Sequence, residues 1–94
     1  MQKHTLSLLV DNKPDSFARV IGLISAKGYS ISSLLVSETE VPTVAQLKIV
    51  VNVTDEYTLN QIIKNLNRLV VTISVSKENS ISFQNMLQKK FSLN

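Results

Sequence analysis

The sequence predicts an α+β fold in which four strands and two helices follow one another in the order β-α-β-β-α-β. Apolar residues alternate with polar ones in four segments, and they recur every three or four residues in two others. Glycine or acidic residues mark the ends of the two helical segments. This order is the split βαβ arrangement of ferredoxin-like domains. Because each helix has a single apolar stripe, we expect both helices to cover one face of a four-stranded antiparallel sheet.

The first half of the chain contains a strand, a helix and a second strand. Residues 4–10 alternate between polar and apolar side chains, which is typical of a half-buried strand. The helix that follows has an apolar stripe formed by Phe17, Val20, Ile21 and Ile24. Gly28 predicts the end of this helix, since glycine readily adopts the left-handed backbone of a helix C-terminus. Residues 31–37 predict the second strand, which we expect at an edge of the sheet.

The second half repeats this pattern. Residues 45–53 show the most regular alternation in the chain and predict the third strand. Asp55 and Glu56 open the second helix, where the helix dipole favours negative charge. The buried face of this helix is predicted to consist of Leu59, Ile62, Ile63 and Leu66. The fourth strand is predicted from the alternation of Leu69, Val71, Ile73 and Val75. The sheet face away from the helices should be largely polar and carry Thr5, Ser7, Gln46, Lys48, Thr72, Ser74 and Ser76.

The domain organisation expected from these elements is one domain over residues 1–78 and a tail over residues 79–94. The tail could form a short amphipathic helix with Phe83, Met86 and Leu87 on its apolar face. A chain of 94 residues is the size of one domain with a modest core. Such a domain gains from association with a partner chain.

Composition argues against several classes of function. The net charge of +3 is spread along the chain, and the third strand has no aromatic residue on which a base could stack, so we expect no nucleic-acid binding. No apolar run reaches the roughly 20 residues of a membrane span, and the N-terminus lacks the long apolar centre of a signal peptide. The chain has no cysteine. We therefore expect a protein of a reducing compartment, the cytoplasm, without contact to a membrane.

Residues for catalysis or metal binding are scarce. The single histidine, His4, lies at the start of a strand, where a surface role is the simpler interpretation. Glu38 and Glu40 could bind a cation, but they lie next to Pro42 in a loop. Two carboxylates exposed to solvent are therefore the favoured interpretation. The only glycines, Gly22 and Gly28, belong to a helix and its end and form no phosphate-binding loop. We predict neither a catalytic nor a metal site.

The turn between the first strand and the first helix is the remaining candidate for a binding site. It reads Asn12-Lys13-Pro14. The unpaired N–H groups and positive partial charge of a helix N-terminus favour a carboxylate there, and the Asn12 amide offers a donor and an acceptor beside it. Alternatively, Asn12 and Pro14 only build the turn. The residues alone leave both interpretations open.

Three segments of the chain carry a resemblance to a known family. They are 9–36, which includes LVDNKPDSFARVIG and KGYSISSLLV, 39–51, which reads TEVPTVAQLKIVV, and 61–75, which reads QIIKNLNRLVVTISV. Together they resemble the ACT domain of the small, regulatory subunit of acetolactate synthase (acetohydroxyacid synthase). The resemblance implies a non-catalytic subunit that binds a thiamine-diphosphate-dependent large subunit and raises its activity. It also implies feedback inhibition by a branched-chain amino acid, usually valine, and no cofactor on this chain, with magnesium and FAD expected on the catalytic partner.

The resemblance further implies a homodimer in which two ACT domains pair side by side through their second strands. The effector would lie at this interface, between the strand–helix turn at Asn12-Lys13-Pro14 of one chain and the second strand of the other. The turn positions are Asn12, Asp15, Ser16 and Phe17. The facing positions on the second strand are Ser30, Ile31 and Ser37.

This chain departs from the family pattern in three respects. Asp15 stands where the family usually has glycine, and Ser30 where it has asparagine. Asp15 would repel the carboxylate of an amino acid, or it could cap the helix itself. We therefore expect valine feedback to be weak or absent. Many family members also carry a C-terminal domain, for which this sequence has no room. The alternative to a regulatory subunit is a free-standing amino-acid sensor of the ACT type. A plant or algal member would work in the plastid stroma.

Overall fold

The structure, a computed structural model, describes residues 2–78. Its elements are β1 (Gln2–Asp11), α1 (Pro14–Ala26), β2 (Ser30–Glu38), β3 (Val44–Val53), α2 (Glu56–Asn67) and β4 (Thr72–Glu78). The predicted β-α-β-β-α-β order is confirmed. The amphipathic helix predicted within residues 79–94 lies outside the described residues, and the boundary at residue 78 stays a prediction.

The four strands form one antiparallel sheet in the order β2-β3-β1-β4. The central pair is β1 and β3, which are in register over ten residues from Gln2 opposite Val53 to Asp11 opposite Val44. β2 and β4 form the two edges. The expectation that the second strand lies at an edge is therefore confirmed.

The core lies between one face of the sheet and the two helices, as predicted. Alternate residues of the central strands supply the sheet side of the core, namely Leu6, Leu8, Val10, Leu47, Ile49 and Val51. The helices supply Val20, Ile24, Leu59, Ile62 and Leu66. All of these side chains are at most 1% exposed. A central strand that places every second residue in such a core contributes about 1.5–3 kcal/mol per large aliphatic side chain.

The fourth strand begins later than predicted. The sequence alternation starts at Leu69, whereas β4 starts at Thr72. The intervening residues form a turn in which the N–H of Leu69 donates to the oxygen of Leu66 (3.2 Å) and that of Thr72 donates to the oxygen of Leu69 (3.0 Å). Leu69 and Val71 still pack inward, and their spacing of two residues therefore matched the alternation of a strand. The backbone there is nevertheless a turn and not an extended strand.

The sheet face turned away from the helices, here called the open face, also differs from the prediction. The pairing of β1 with β4 shifts between Leu9 and Val10, so Thr72 lies opposite the core residue Val10 and leaves the predicted polar row. The pairing also places apolar residues on the open face, among them Leu9, Leu35 and Val50. The open face is therefore mixed rather than largely polar.

We expect the two glycines of the first helical segment to respond oppositely to alanine. Gly28, after α1, has φ +83°, whereas Gly22 is helical, and an added Cβ meets nothing within 4 Å at either site. Gly22→Ala should stabilise the fold by roughly 0.5–1 kcal/mol, and Gly28→Ala should destabilise it by about 1 kcal/mol. Urea unfolding measures both. Midpoints that shift in the same direction would contradict the assignment of Gly28 as the helix terminator.

Candidate functional site

The turn between β1 and α1 is tied to the loop between β2 and β3 through Asn12. The backbone N–H of Asn12 donates to the oxygen of Thr43 (2.9 Å), and its side-chain Nδ2 donates to the oxygen of Pro42 (3.0 Å). The residue before it, Asp11, donates its N–H to the oxygen of Val71 (3.0 Å). Asn12 thus has a structural role, and its amide oxygen remains the group of that side chain that could accept from a ligand.

The first turn of α1 lacks a side-chain cap. Its N-cap residue is Lys13, whose side chain cannot accept a hydrogen bond from the helix N–H groups. The capping role considered for Asp15 is wrong, because the Asp15 carboxylate instead pairs with the Nε of Arg19 at 3.3 Å. The Arg19 pair lies one helical turn along the surface, and the Asp15 side chain is 59% exposed. The helix N-terminus is therefore left open by its own side chains.

The start of α2 shows what a capped helix looks like in the same fold. The N-cap Asp55 accepts a hydrogen bond of 2.6 Å from the backbone N–H of Thr58. This hydrogen bond stabilises the ionised carboxylate and holds the pKa of Asp55 below its usual value. The two helices of the domain thus begin differently: α2 has a side-chain cap, whereas in α1 the N–H of Ser16 donates to the backbone oxygen of Lys13 (3.0 Å).

The other two predicted turn positions face inward. Ser16 is fully buried, and its Oγ has no hydrogen-bond partner among residues 2–78. Phe17 is half-buried against the core. Buried hydroxyl groups are almost always satisfied by protein or water, so the Ser16 hydroxyl, in the first turn of α1, can still receive a partner.

The predicted positions on β2 do not come together with the turn in one chain. Ser37 lies near the end of β2, opposite Gln46. This is the end of the sheet at which Asn12 also lies. Ser30 and Ile31 open the same strand, about 20 Å away at 3.3 Å per residue. Ser30 is already engaged, because its Oγ accepts from the Nδ2 of Asn52 at 3.0 Å. A single chain therefore holds two halves of the predicted site at opposite ends of one strand.

Comparison with known proteins identifies the family to which the fold belongs. A family described as AHAS small subunit-like ACT domain matches residues 6–74, from the first core residue of β1 into β4. The chain belongs to this family. The ACT domain predicted from the resemblance is confirmed.

Relatives and solved structures agree with this assignment. The chain is 45% identical over 75 residues to a probable acetolactate synthase small subunit of Archaeoglobus fulgidus, covering 80% of this chain and 46% of that protein. It is 43% identical over 75 residues to the acetolactate synthase isozyme 3 small subunit of Escherichia coli, covering 80% and 45%. A crystal structure of the small subunit from Thermotoga maritima matches with a TM-score of 0.73 and 36% identity, covering 82% of this chain and 47% of that one. The chain spans about half the length of the curated relatives it matches.

The loop between β2 and β3 contributes residues to this ACT domain's turn region that the sequence did not single out. The Oγ1 of Thr39 donates to the oxygen of Val44 (2.8 Å) and accepts from the N–H of Val41 (3.1 Å). Thr39 thereby fixes the loop that carries Pro42, the partner of Asn12. A cavity of about 180 Å³ lies here, lined by Asn12, Glu38, Thr39, Val41, Pro42 and Val44. A threonine whose hydroxyl accepts a hydrogen bond from the backbone N–H two residues later is a known turn motif. Thr39 in the sequence could therefore have indicated this turn.

The edge strand β2 of the ACT domain exposes apolar side chains. Leu34, Leu35 and Val36 are 39%, 38% and 45% exposed. They lie next to one another on a strand that has a hydrogen-bonded neighbour on one side only. An apolar edge of this kind is a template for pairing with another strand.

Within residues 2–78, three or more histidine, cysteine, aspartate or glutamate side chains nowhere cluster as metal ligands would. Neither of the described helices has the length and apolar character needed to cross a membrane.

Proposed function

We propose that this chain is a regulatory small subunit of acetolactate synthase, a transferase of branched-chain amino acid biosynthesis. In this role it binds the thiamine-diphosphate-dependent catalytic subunit in the cytoplasm and raises its activity, while magnesium and FAD reside on that partner. The observation that carries the proposal is the match of residues 6–74, nearly the whole described fold, to the small-subunit family. The curated relatives named above are themselves small subunits.

A dimer through β2 follows from the exposed edge and belongs to the same proposal. Pairing two β2 strands would satisfy their outward backbone groups and cover Leu34, Leu35 and Val36. A twofold axis makes such a pair antiparallel, so that the start of one β2 meets the end of the other. The partner's Ser30 and Ile31 positions would then lie beside Ser37 of the first protomer, close to its Asn12 turn. The two separated halves of the predicted effector site would thus meet across the dimer.

The dimer would create the effector site with one unfavourable group, Asp15. The Asp15 side chain is exposed, so its charge is surrounded by water. In water, two like charges about 4 Å apart repel each other by about 1 kcal/mol. Arg19 offsets part of that repulsion. The N-terminus of α1, which has no side-chain cap, favours a carboxylate, whereas Asp15 opposes it. Weak valine binding is the expected balance, so valine feedback is proposed to be weak or absent.

The regulatory role is tested by mixing the chain with the acetolactate synthase catalytic subunit of the same organism. We expect the two to co-purify and the rate of acetolactate formation to rise several-fold and saturate as the chain is titrated. A chain that binds valine but neither binds nor activates the catalytic subunit would instead be a free-standing amino-acid sensor. Catalytic subunit titrated with serum albumin serves as the control for nonspecific stabilisation.

The dimer is tested by placing a lysine on each edge of the sheet. We expect wild type to sediment as a dimer at micromolar concentration and Val36→Lys to weaken the dimer at least about 100-fold, because a charge at an apolar edge opposes strand pairing. Ile73→Lys is the matched control, since Ile73 is 54% exposed on the other edge strand. Dissociation by Ile73→Lys but not by Val36→Lys would place the interface on β4.

Valine binding is tested by calorimetry at low ionic strength. We expect wild type to bind valine in the millimolar range or not at all. Asp15→Gly should bind it about five- to tenfold more tightly, the equivalent of about 1 kcal/mol of removed repulsion.

Two controls separate the physical causes. Asp15→Asn removes the charge and keeps the bulk, so equal recovery in both variants assigns the effect to charge. Recovery in Asp15→Gly alone assigns it to bulk. Micromolar binding by wild type would contradict the role given to Asp15.

A further inference from the structure

The edge strand β2 is regular over only part of its length. Its pairing with β3 shifts between Ile31 and Ser33, so Ser32 has no partner residue on β3. The side chain of Asn52 holds this bulge, because its Nδ2 donates to the Oγ of Ser32 (2.6 Å). A bulge on an edge strand interrupts pairing with a further strand. A second copy of β2 can therefore form a regular ladder only with residues 33–38.

The pleat of this regular part limits where a twofold axis can pass. Leu34 and Val36 are paired with core residues of β3. Leu35, between them, is paired with Lys48 and faces the other way. Residues directly opposite each other in an antiparallel pair lie on the same face of the sheet. An axis between two residues would break this rule, so the axis must pass through a residue.

An axis through Leu35 matches the side chains of the two strands. It sets Leu35 opposite its own copy and Leu34 opposite the partner's Val36. These three residues are the exposed apolar side chains of β2, at 39%, 38% and 45% for Leu34, Leu35 and Val36. The same axis sets Ser33 opposite the partner's Ser37. Apolar residues thus meet apolar residues and serine meets serine, as stable cross-strand pairs do.

The neighbouring positions of the axis match less well. An axis through Val36 sets the carboxylate of the partner's Glu38 opposite Leu34. An axis through Leu34 sets Val36 opposite the partner's Ser32, inside the bulge. Positions further along in either direction enter the bulge or run past Glu38, where β2 ends.

We propose that the twofold axis of the dimer passes through Leu35, so that residues 33–37 of the two copies pair. This register rests on the proposed dimer through β2. Glu38 then follows the last pair and lies beside the partner's bulge at Ser32. Because Glu38 lines the cavity that also contains Asn12, the partner's bulge borders that cavity. Glu38 is therefore a residue of the site shared by the two chains.

Single cysteines on β2 test the register on the full chain. The sequence contains no cysteine, so each variant has one thiol. Directly opposite residues have Cα atoms about 4.5–5.5 Å apart, which a disulfide can bridge, whereas diagonal neighbours are about 7–8 Å apart, which it cannot. Under mild oxidation at micromolar concentration we expect Leu35→Cys to give at least about fivefold more disulfide-linked dimer than Leu34→Cys or Val36→Cys.

A mixture and a control complete the test. Leu34→Cys mixed with ¹⁵N-labelled Val36→Cys should give a cross-linked dimer of mixed mass, which mass spectrometry distinguishes from the dimers of either variant alone. Ile73→Cys is the matched control for random collision, since Ile73 is 54% exposed on the other edge strand. We expect it to cross-link no more than Leu34→Cys alone.

Two kinds of result would overturn the proposal. More cross-linking in Leu34→Cys or Val36→Cys than in Leu35→Cys would move the axis to that residue and leave the dimer through β2 in place. Wild type that sediments as a monomer, or cross-linking in Ile73→Cys alone, would remove the dimer and the register together. Sedimentation uses wild type, so it decides even if a variant fails to fold. Activation of the catalytic subunit is measured separately, so the regulatory role can stand when the register fails.

Discussion

The register between β1 and β3 is the constraint on which the other features of the domain depend. Over ten residue pairs it places Leu6, Leu8 and Val10 on the same face as Leu47, Ile49 and Val51. A slip by one residue would turn all of these side chains to the open face and lose the core at once. Because each helix has one apolar stripe, both helices can pack only on the sheet face that carries these apolar side chains. The register also brings Asp11 opposite Val44, which sets the Asn12 turn beside the β2–β3 loop.

That end of the sheet holds the turn that is proposed as part of the effector site. Asn12 fastens the β1–α1 turn to the neighbouring loop through Thr43 and Pro42, and Asp11 fastens it to the α2–β4 turn through Val71. The turn is thus held by backbone and side-chain bonds on two sides before any ligand arrives. Rigidity of this kind lowers the entropy cost of binding. The helix N-terminus that emerges from it is free of a side-chain cap, which is a cost to stability unless another group satisfies it.

Sequence periodicity predicted the element order and the core residues, because each depends on which face a side chain takes. It could not predict the register shift between Leu9 and Val10, which removes Thr72 from the open face, since an irregular pairing leaves no signature in one strand alone. Nor could it predict the pairing of Lys48 with Glu78, which lies 30 residues away in sequence. Asp15 was ambiguous for a similar reason. Capping and pairing with Arg19 are both local options for an acid in a first turn, and only the structure shows which partner is within reach.

The two edges of the sheet differ in a way that supports the proposed association through β2. β2 presents Leu34, Leu35 and Val36, and such a row in water favours pairing with another strand. β4 carries serines at 74 and 76 and the charged Lys77, which is held by Glu56 of α2. Charged and polar residues on an edge strand oppose pairing with another chain. With one edge more apolar than the other, this difference supports the proposed closed pair through β2 rather than an open-ended stack.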